Sequence, residues 1–332
     1  MRTLFIGGTK RGYQTLAALV DIGADIAGVI SLRQDEHERE RYEEPIAGLA
    51  GRHAILLYET RWMKDRNYPD IITREIRPDL IVVVGCRILL PRAVYEIPPR
   101  GTVAVHDSLL PEYRGFAPLN WAIINGEDHT GVTLFYLNDS MDGGDIVAQA
   151  RVPIGAADTA PQVYERVCQA TVDLVTTAYP LLAQGTAPRR QQIEHDASVT
   201  CRRTPGDGLI DWTRPTAEIG NLIRGLTWPY PGAFTFHDER RLTIWRAEVV
   251  EPAPRYVGRI AGAVAGIDKA AGSVDVLTGD GVLRLFEVGR DGEDAVPAAT
   301  VVTSIRAKLG IDPIDLVKRI QGLEAAAREV AR

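Results

Sequence analysis

Two residues of this sequence combine the right side chains with the right setting for proton chemistry. The stretch GTVAVHDSLLPEYRGFAPLNWAIING, residues 101–126, carries an apolar strand-like run that ends on His106 and passes straight into a polar, turn-rich segment. Downstream, LNDSMDGGDIVAQ places Asp142 in a loop just ahead of two glycines, residues that allow close backbone approach to a ligand and positive φ. An imidazole can donate to a developing oxyanion or relay a proton. A carboxylate beside it can hold the ring in one orientation, stabilise its charged form or itself act as base. Spacing alone leaves a hydrogen-bonded structural histidine and a turn carboxylate as open alternatives.

The elements that must position these groups read as an α/β chain. RTLFIGG is a short buried strand ended by glycines, YQTLAALVDIGA a helix, DIAGVISL a second strand, EPIAGLAGRH a helix and AILLYE a third strand. The segment RQDEHERERYEEP is a charge run of solvated type, and DIITREIRPD is amphipathic and ends at a proline. LIVVVG, residues 80–85, is apolar at every position, which suits a central parallel strand covered on both faces. Strands alternating with helices predict an open, doubly wound sheet, whose ligands gather at the carboxyl ends of the strands. The ends of LIVVVG and TVAV therefore mark the expected site. GGTKRG after the first strand is neither a P-loop nor a full dinucleotide fingerprint and reads chiefly as a tight turn. GVTLFYLN and DIVAQARVPI are two further strands, followed by a long helix near residues 158–185 and a polar linker, APRRQQIEHDASVTCRRTPGDGLIDWTRP. Beyond residue 205, short alternating strands with glycine and aspartate turns predict a small β domain, and the last stretch a terminal helix.

Bulk properties narrow the partners. With 332 residues and a net charge of −6, the chain is long enough for two domains and too acidic for a general nucleic-acid binder, although a local pocket for one phosphorylated ligand remains compatible. Cys86, Cys168 and Cys201 have no metal spacing and read as free thiols of a reducing compartment. His37, His53, His129, His195 and His237 form no metal pattern. No apolar run reaches membrane-spanning length, and the N-terminal residues do not read as a signal peptide, so the expected location is cytoplasmic, with no membrane partner.

The stretch HDSLLPEYRGFAPLNWAIINGEDHTGVTLFYLNDSMDGGDIVAQ resembles the signature of the folate-dependent formyltransferases, a family that includes methionyl-tRNA formyltransferase and the sugar-nucleotide N-formyltransferases. TCRRTPGDGLIDWTRP, NLIRGL and WPYPGAF extend the likeness to about residue 300. It is strongest to the formyltransferase domain that acts on UDP-4-amino-4-deoxy-L-arabinose. The resemblance implies a Rossmann-like N-terminal formyltransferase domain over residues 1–200, an OB-like β-barrel domain over 205–310 and a helical tail over 311–332. It implies catalytic roles for His106 and Asp142, and folate-binding backbone at Ile88, Leu89 and Leu90 and at Asn138, Asp139, Ser140, Met141 and Asp142. The implied co-substrate is N10-formyltetrahydrofolate, the implied acceptor an amino-sugar nucleotide, with no metal. A homo-oligomer is compatible with the sequence. Which of His106 and Asp142 takes the amine proton stays open at this level.

Two departures from the family pattern matter. The family's catalytic asparagine lies two positions before the histidine, where this chain has Ala104, whose methyl group cannot donate to an oxyanion. Losing such a donor typically costs about 10²–10³ in rate. Alanine here fits a deliberate disabling substitution, a natural variant of altered activity, or a site in which another amide such as Asn138 compensates. The second departure follows YRG, where an arginine of the aminoarabinose enzyme is replaced by Phe116; Phe116 and Arg114 are the expected substrate contacts, Phe116 by stacking on a base or sugar ring, with packing under the loop as its open alternative, and Arg114 by binding a phosphate or fixing the loop. Arg202 and Arg203 could reach an anionic ligand or form ordinary linker salt bridges, and Arg224 could point toward the domain interface. Trp121 is expected to pack its helix. The alternative functions are methionyl-tRNA formyltransferase and a non-catalytic binding homologue for folate or a nucleotide sugar.

Overall fold

A computed structural model describes residues 1–33, 41–290, 293–311 and 313–330. Most of the charge run, including His37, lies outside the described residues. The chain forms two compact units, Met1–Ala122 with Glu127–Arg203, and Ile123–Gly126 with Thr204–Arg332.

The first unit runs β1 (Thr3–Gly7), α1 (Thr9–Asp21), β2 (Ile26–Leu32), α2 (Glu43–Arg52), β3 (Leu56–Thr60), α3 (Tyr68–Asp70, continued by a π-helical turn Ile71–Ile76), β4 (Leu80–Val84), α4 (Arg92–Tyr95), β5 (Thr102–His106), β6 (Arg114–Gly115), α5 (Pro118–Ile124), β7 (His129–Tyr136), β8 (Ile146–Pro153), α6 (Ala160–Gln184) and β9 (Val199–Thr200). The main sheet has the order β3-β2-β1-β4-β5-β7-β8. Its first five strands pair in parallel, as the alternating pattern predicts. The last two do not: β7 is antiparallel to β5, and β8 to β7. No helix separates β7 from β8, so the chain turns back through a loop instead of making the crossover a parallel pair needs.

Every residue of β4 is buried, and alternate side chains serve opposite cores. Val82 and Val84, with Phe5 and Val103, pack under Leu16 and Leu19 of α1, Ile46 of α2 and Val175 and Leu182 of α6. Ile81 and Val83, with Leu4, Ile6, Ala104 and Phe135, face Tyr68, Ile72, Ile76 and Val94. GGTKRG proves to be a close junction between β1, α1 and the end of β4. A Cβ on Gly7 would lie 1.9 Å from the Val84 carbonyl oxygen. Gly85, at φ +67°, would place one 2.5 Å from the Gly8 carbonyl oxygen.

In the second unit, α7 (Thr216–Leu226) is followed by β10 (Ala233–His237), β11 (Arg240–Val249), β12 (Val264–Asp268), β13 (Ser273–Leu277), β14 (Val282–Arg290), β15 (Val296–Pro297), α8 (Ala298–Val301) and α9 (Pro313–Val330). The strands form an antiparallel sheet in the order β10-β11-β14-β13-β12, with β15 on β14. Among the described residues no pairing joins β12 to β10. Trp212, Ile219, Ile223, Leu242, Val274 and Leu285 contribute to a separate core, in which the Trp212 indole donates to Thr235 Oγ1 at 2.9 Å.

Candidate active site

His106 is the last residue of β5 and only 9% exposed. Its Nε2 lies 2.8 Å from the Tyr113 carbonyl oxygen. A carbonyl can only accept, so in the neutral ring the proton sits on Nε2 and the lone pair on Nδ1. Nδ1 lies 3.6 Å from Asp142 Oδ2. Burial lowers the His106 pKa below its ordinary 6.5; the Asp142 carboxylate and the Tyr113 hydrogen bond oppose this, and the Arg11 guanidinium adds to it. The ring is therefore neutral at pH 7, with Nδ1 free to take a proton beside a carboxylate that stabilises the resulting charge.

The segment after His106 is pinned by β7. Thr130 Oγ1 donates to the Asp107 carbonyl at 3.0 Å and Thr133 Oγ1 to the Ser108 carbonyl at 2.7 Å. Asp107 itself forms a largely buried ion pair with Arg11 of α1.

Asp142 reaches His106 by an indirect route. β7 runs against β5 with Tyr136 opposite Val103, so the loop of residues 137–145 leaves the sheet near the beginning of β5. Three strand residues, about 10 Å, separate that point from His106. The loop folds back over this distance. Only His106 of the proposed pair sits at a parallel strand end. Asp142 adopts φ +50°, whereas Gly143 and Gly144 do not use the positive φ that glycine allows. Gly144 is required for another reason: a Cβ there would lie 1.7 Å from the Tyr136 carbonyl oxygen. Asp142 Oδ2 also accepts from the Gly115 amide at 2.8 Å, which ties it to β6.

The remaining expected residues fall around this pair. Ile88 and Leu90 pack on the core face that contains Ala104, while Leu89 is 80% exposed. The Cys86 thiol donates to the Ile88 carbonyl at 3.2 Å, and burial pushes its pKa up to about 11, which leaves it unreactive. Asn138 Oδ1 accepts from the Ser140 amide at 2.9 Å. Asp139 anchors the loop, accepting from Tyr95 at 2.5 Å and Arg92 at 3.2 Å. Met141 and Phe116 are half-exposed. The sulfur of Met141 comes within 3.6 Å of where a Gly115 Cβ would stand. Ala104 is buried, on the same strand face as His106.

Arg114 is buried and bonded within the protein. It donates to Gln192 Oε1 at 3.0 and 2.8 Å and to both Glu194 oxygens at 2.9 and 2.8 Å. Of the two roles open to it, this geometry is that of fixing the loop. Trp121 donates from its indole to the Cys201 carbonyl at 2.9 Å, and the Arg203 guanidinium stacks 4.5 Å over its ring. Arg224 donates to Asn221 Oδ1 at 2.9 Å. Among the described residues no group of three His, Cys, Asp or Glu is placed to hold a metal ion, and no helix is long and apolar enough to cross a membrane.

Sequence reasoning missed four contributors. Tyr113 supplies its carbonyl, at a strained φ of +57°. Ser198 Oγ accepts from the Tyr113 amide at 2.8 Å, and Gln192 donates to the loop that carries Asp142. The fourth is Arg11. Gln192 and Ser198 lie in the stretch read as linker; a polar segment without a motif offers no signal that its side chains point inward.

Residues 1–178 match the formyl transferase family and residues 202–306 the formyl transferase C-terminal domain. Among solved structures, HypX from Aquifex aeolicus in complex with tetrahydrofolic acid is 19% identical, with 92% of this chain covered and a TM-score of 0.62. The chain spans 47% of that HypX chain. The N-formyltransferase from Helicobacter canadensis, in complex with folinic acid and dTDP-3-aminofucose, is 16% identical over 85% of this chain and 97% of its own, with a TM-score of 0.64. Methionyl-tRNA formyltransferase from Clostridium thermocellum is 17% identical over 76% of this chain and 95% of its own, with a TM-score of 0.53. At these identities the likeness is one of fold, while the two family matches together reach across both units: the chain belongs to the formyl transferase family.

Proposed function

We propose that this chain moves a formyl group from N10-formyltetrahydrofolate to the primary amine of an amino-sugar nucleotide. The observation that carries this reading is the His106–Asp142 pair, with the imidazole proton held on Nε2 by Tyr113 and Nδ1 turned to the carboxylate. The bound folate would supply an activated formyl carbon. Nδ1 of His106 takes the proton that the attacking amine sheds, and Asp142 stabilises the imidazolium. The same proton is then held at Nδ1 for the departing folate nitrogen. Residues 88–90 and 138–142 are suited to a flat, partly apolar ligand, since Leu89 and Met141 present exposed apolar side chains in these two loops. Exposed Phe116 is the candidate stacking contact for the acceptor. The Helicobacter enzyme, whose complex contains a dTDP-amino sugar, supports the choice of acceptor class.

Ala104 supplies no oxyanion donor, and this predicts slow turnover. Formyl transfer to a panel of amino-sugar nucleotides tests the reading, with the chain as it stands and with Ala104→Asn. We expect the substitution to raise the rate about 10²–10³-fold. If both proteins bind folate and nucleotide sugar but transfer nothing to any amine, the second reading that Ala104 favours, a non-catalytic binding homologue, takes its place.

A further inference from the structure

We propose that Gln192 is a positioning residue that holds Asp142 against His106 through the backbone of its loop, an inference that rests on the roles given to His106 and Asp142 above. The Gln192 amide nitrogen donates to the Asp142 carbonyl at 2.7 Å and to the Gly144 carbonyl at 2.8 Å, bracketing Gly143. Asp142 sits at φ +50°, which a non-glycine residue keeps only where its surroundings over-determine it. Two hydrogen bonds from one rigid amide do this.

The direction of that amide is itself determined. Its oxygen accepts from Arg114 Nε and Nη2, so the NH₂ end is the one left to face the loop. Arg114 is held in turn by Glu194. Its backbone amide donates to the Ser198 carbonyl at 2.9 Å, and its carbonyl accepts from Thr200 Oγ1 at 3.1 Å. Gly115, the next residue, donates to the Asp142 carboxylate. Residues 190–200 thus grip the backbone on both sides of the aspartate. Among the described residues the Gln192 side chain hydrogen-bonds to the two loop carbonyls and to Arg114, so its influence on the chemistry passes through the place of Asp142.

The consequence can be read at His106. The charged groups that act on its ring are Asp142 from the loop and Arg11 from α1, the latter paired with Asp107. Cys86 and the β7 threonines are uncharged, and Arg114 and Glu194 form their own ion pair behind Gln192. Asp142 is the charged group that favours the imidazolium, so releasing it moves the His106 titration down.

The test is an NMR pH titration of the His106 ring in protein carrying labelled histidine. The variants are Gln192→Met, which keeps the length but loses both donors, and Gln192→Asn, which keeps the polar amide but falls about 1.5 Å short of the carbonyls. Both are expected to lower the His106 midpoint and to reduce kcat/KM for formyl transfer about 10–100-fold. In an Asp142→Asn background, Gln192→Met is expected to shift the midpoint no further, because the carboxylate it positions is gone. An unchanged midpoint in folded variants, or an equal shift without the carboxylate, overturns the proposal. The titration needs no formyl donor or acceptor. Failure of transfer to every amine would therefore remove the proposed function separately, leaving the midpoint to judge Gln192.

Discussion

At the scale of single residues, the arrangement assigns protons. Tyr113 accepts from Nε2 of His106, which leaves Nδ1 as the basic atom beside Asp142. Because burial holds the His106 pKa below 6.5, the basic neutral ring is already the main form at neutral pH. The expected kcat/KM profile therefore has its acid limb below that of an ordinary histidine, where the buried ring protonates. Asp142→Asn removes the group that favours protonation. The acid limb should then move to still lower pH, while the plateau drops about 10²–10⁴-fold, the range typical of lost acid–base catalysis. Steady-state rates of both proteins between pH 4.5 and 8.5 check this, preferably in the Ala104→Asn background if basal turnover is low. An acid limb that moved upward would show that Asp142 does not act on His106 as described.

At the scale of elements, the decisive feature is the return of the loop between β7 and β8. It must leave the sheet at Tyr136 and still bring Asp142 back to the far end of β5. Gly144 makes this path sterically open by letting the chain pass against the Tyr136 carbonyl. Gly144→Ala is expected to destabilise the first unit by about 1–3 kcal/mol, as overpacking against backbone does. It should also displace Asp142, so that activity is lost even at temperatures where the protein remains folded. Urea unfolding and residual transfer activity, measured side by side, separate the two effects. Gly143→Ala meets the Ser140 Cβ at 2.8 Å, a milder clash than the 1.7 Å approach to the Tyr136 carbonyl at Gly144. It should cost less on both measures.

At the scale of the whole molecule, charge bears on the choice of acceptor. A carrier of tRNA needs clustered cations, and its affinity falls steeply as salt rises. This chain has a net charge of −6, and Arg114 of the signature is spent on Gln192 and Glu194. We expect no specific, salt-sensitive tRNA binding at about 0.1 M salt, where the Debye length is about 10 Å, but saturable binding of a nucleotide sugar. A filter-binding titration against both ligands checks the expectation, and tight tRNA binding with a steep salt slope would restore the methionyl-tRNA formyltransferase reading.

The strands that build the first sheet were legible because burial on both faces demands continuous apolar runs such as LIVVVG, and the second unit because alternation with glycine and aspartate turns marks short antiparallel strands. His106 and Asp142 stood out as side chains able to move a proton, and the long signature around them named the family. The alanine at position 104 was equally plain, since a missing functional group is a property of the residue itself. Only the tertiary structure decided what surrounds these groups. Sheet order turned β7 against β5 and β8 against β7, which sets how Asp142 arrives, and the strained backbone of Tyr113 chose the tautomer of His106. Gln192, in a segment whose composition reads as linker, became a brace for the loop because folding laid it across two carbonyls far away in the chain. Local patterning reports what a residue prefers to bury; which distant group it then meets is set by the packing of whole elements, and that is where this site acquires its geometry.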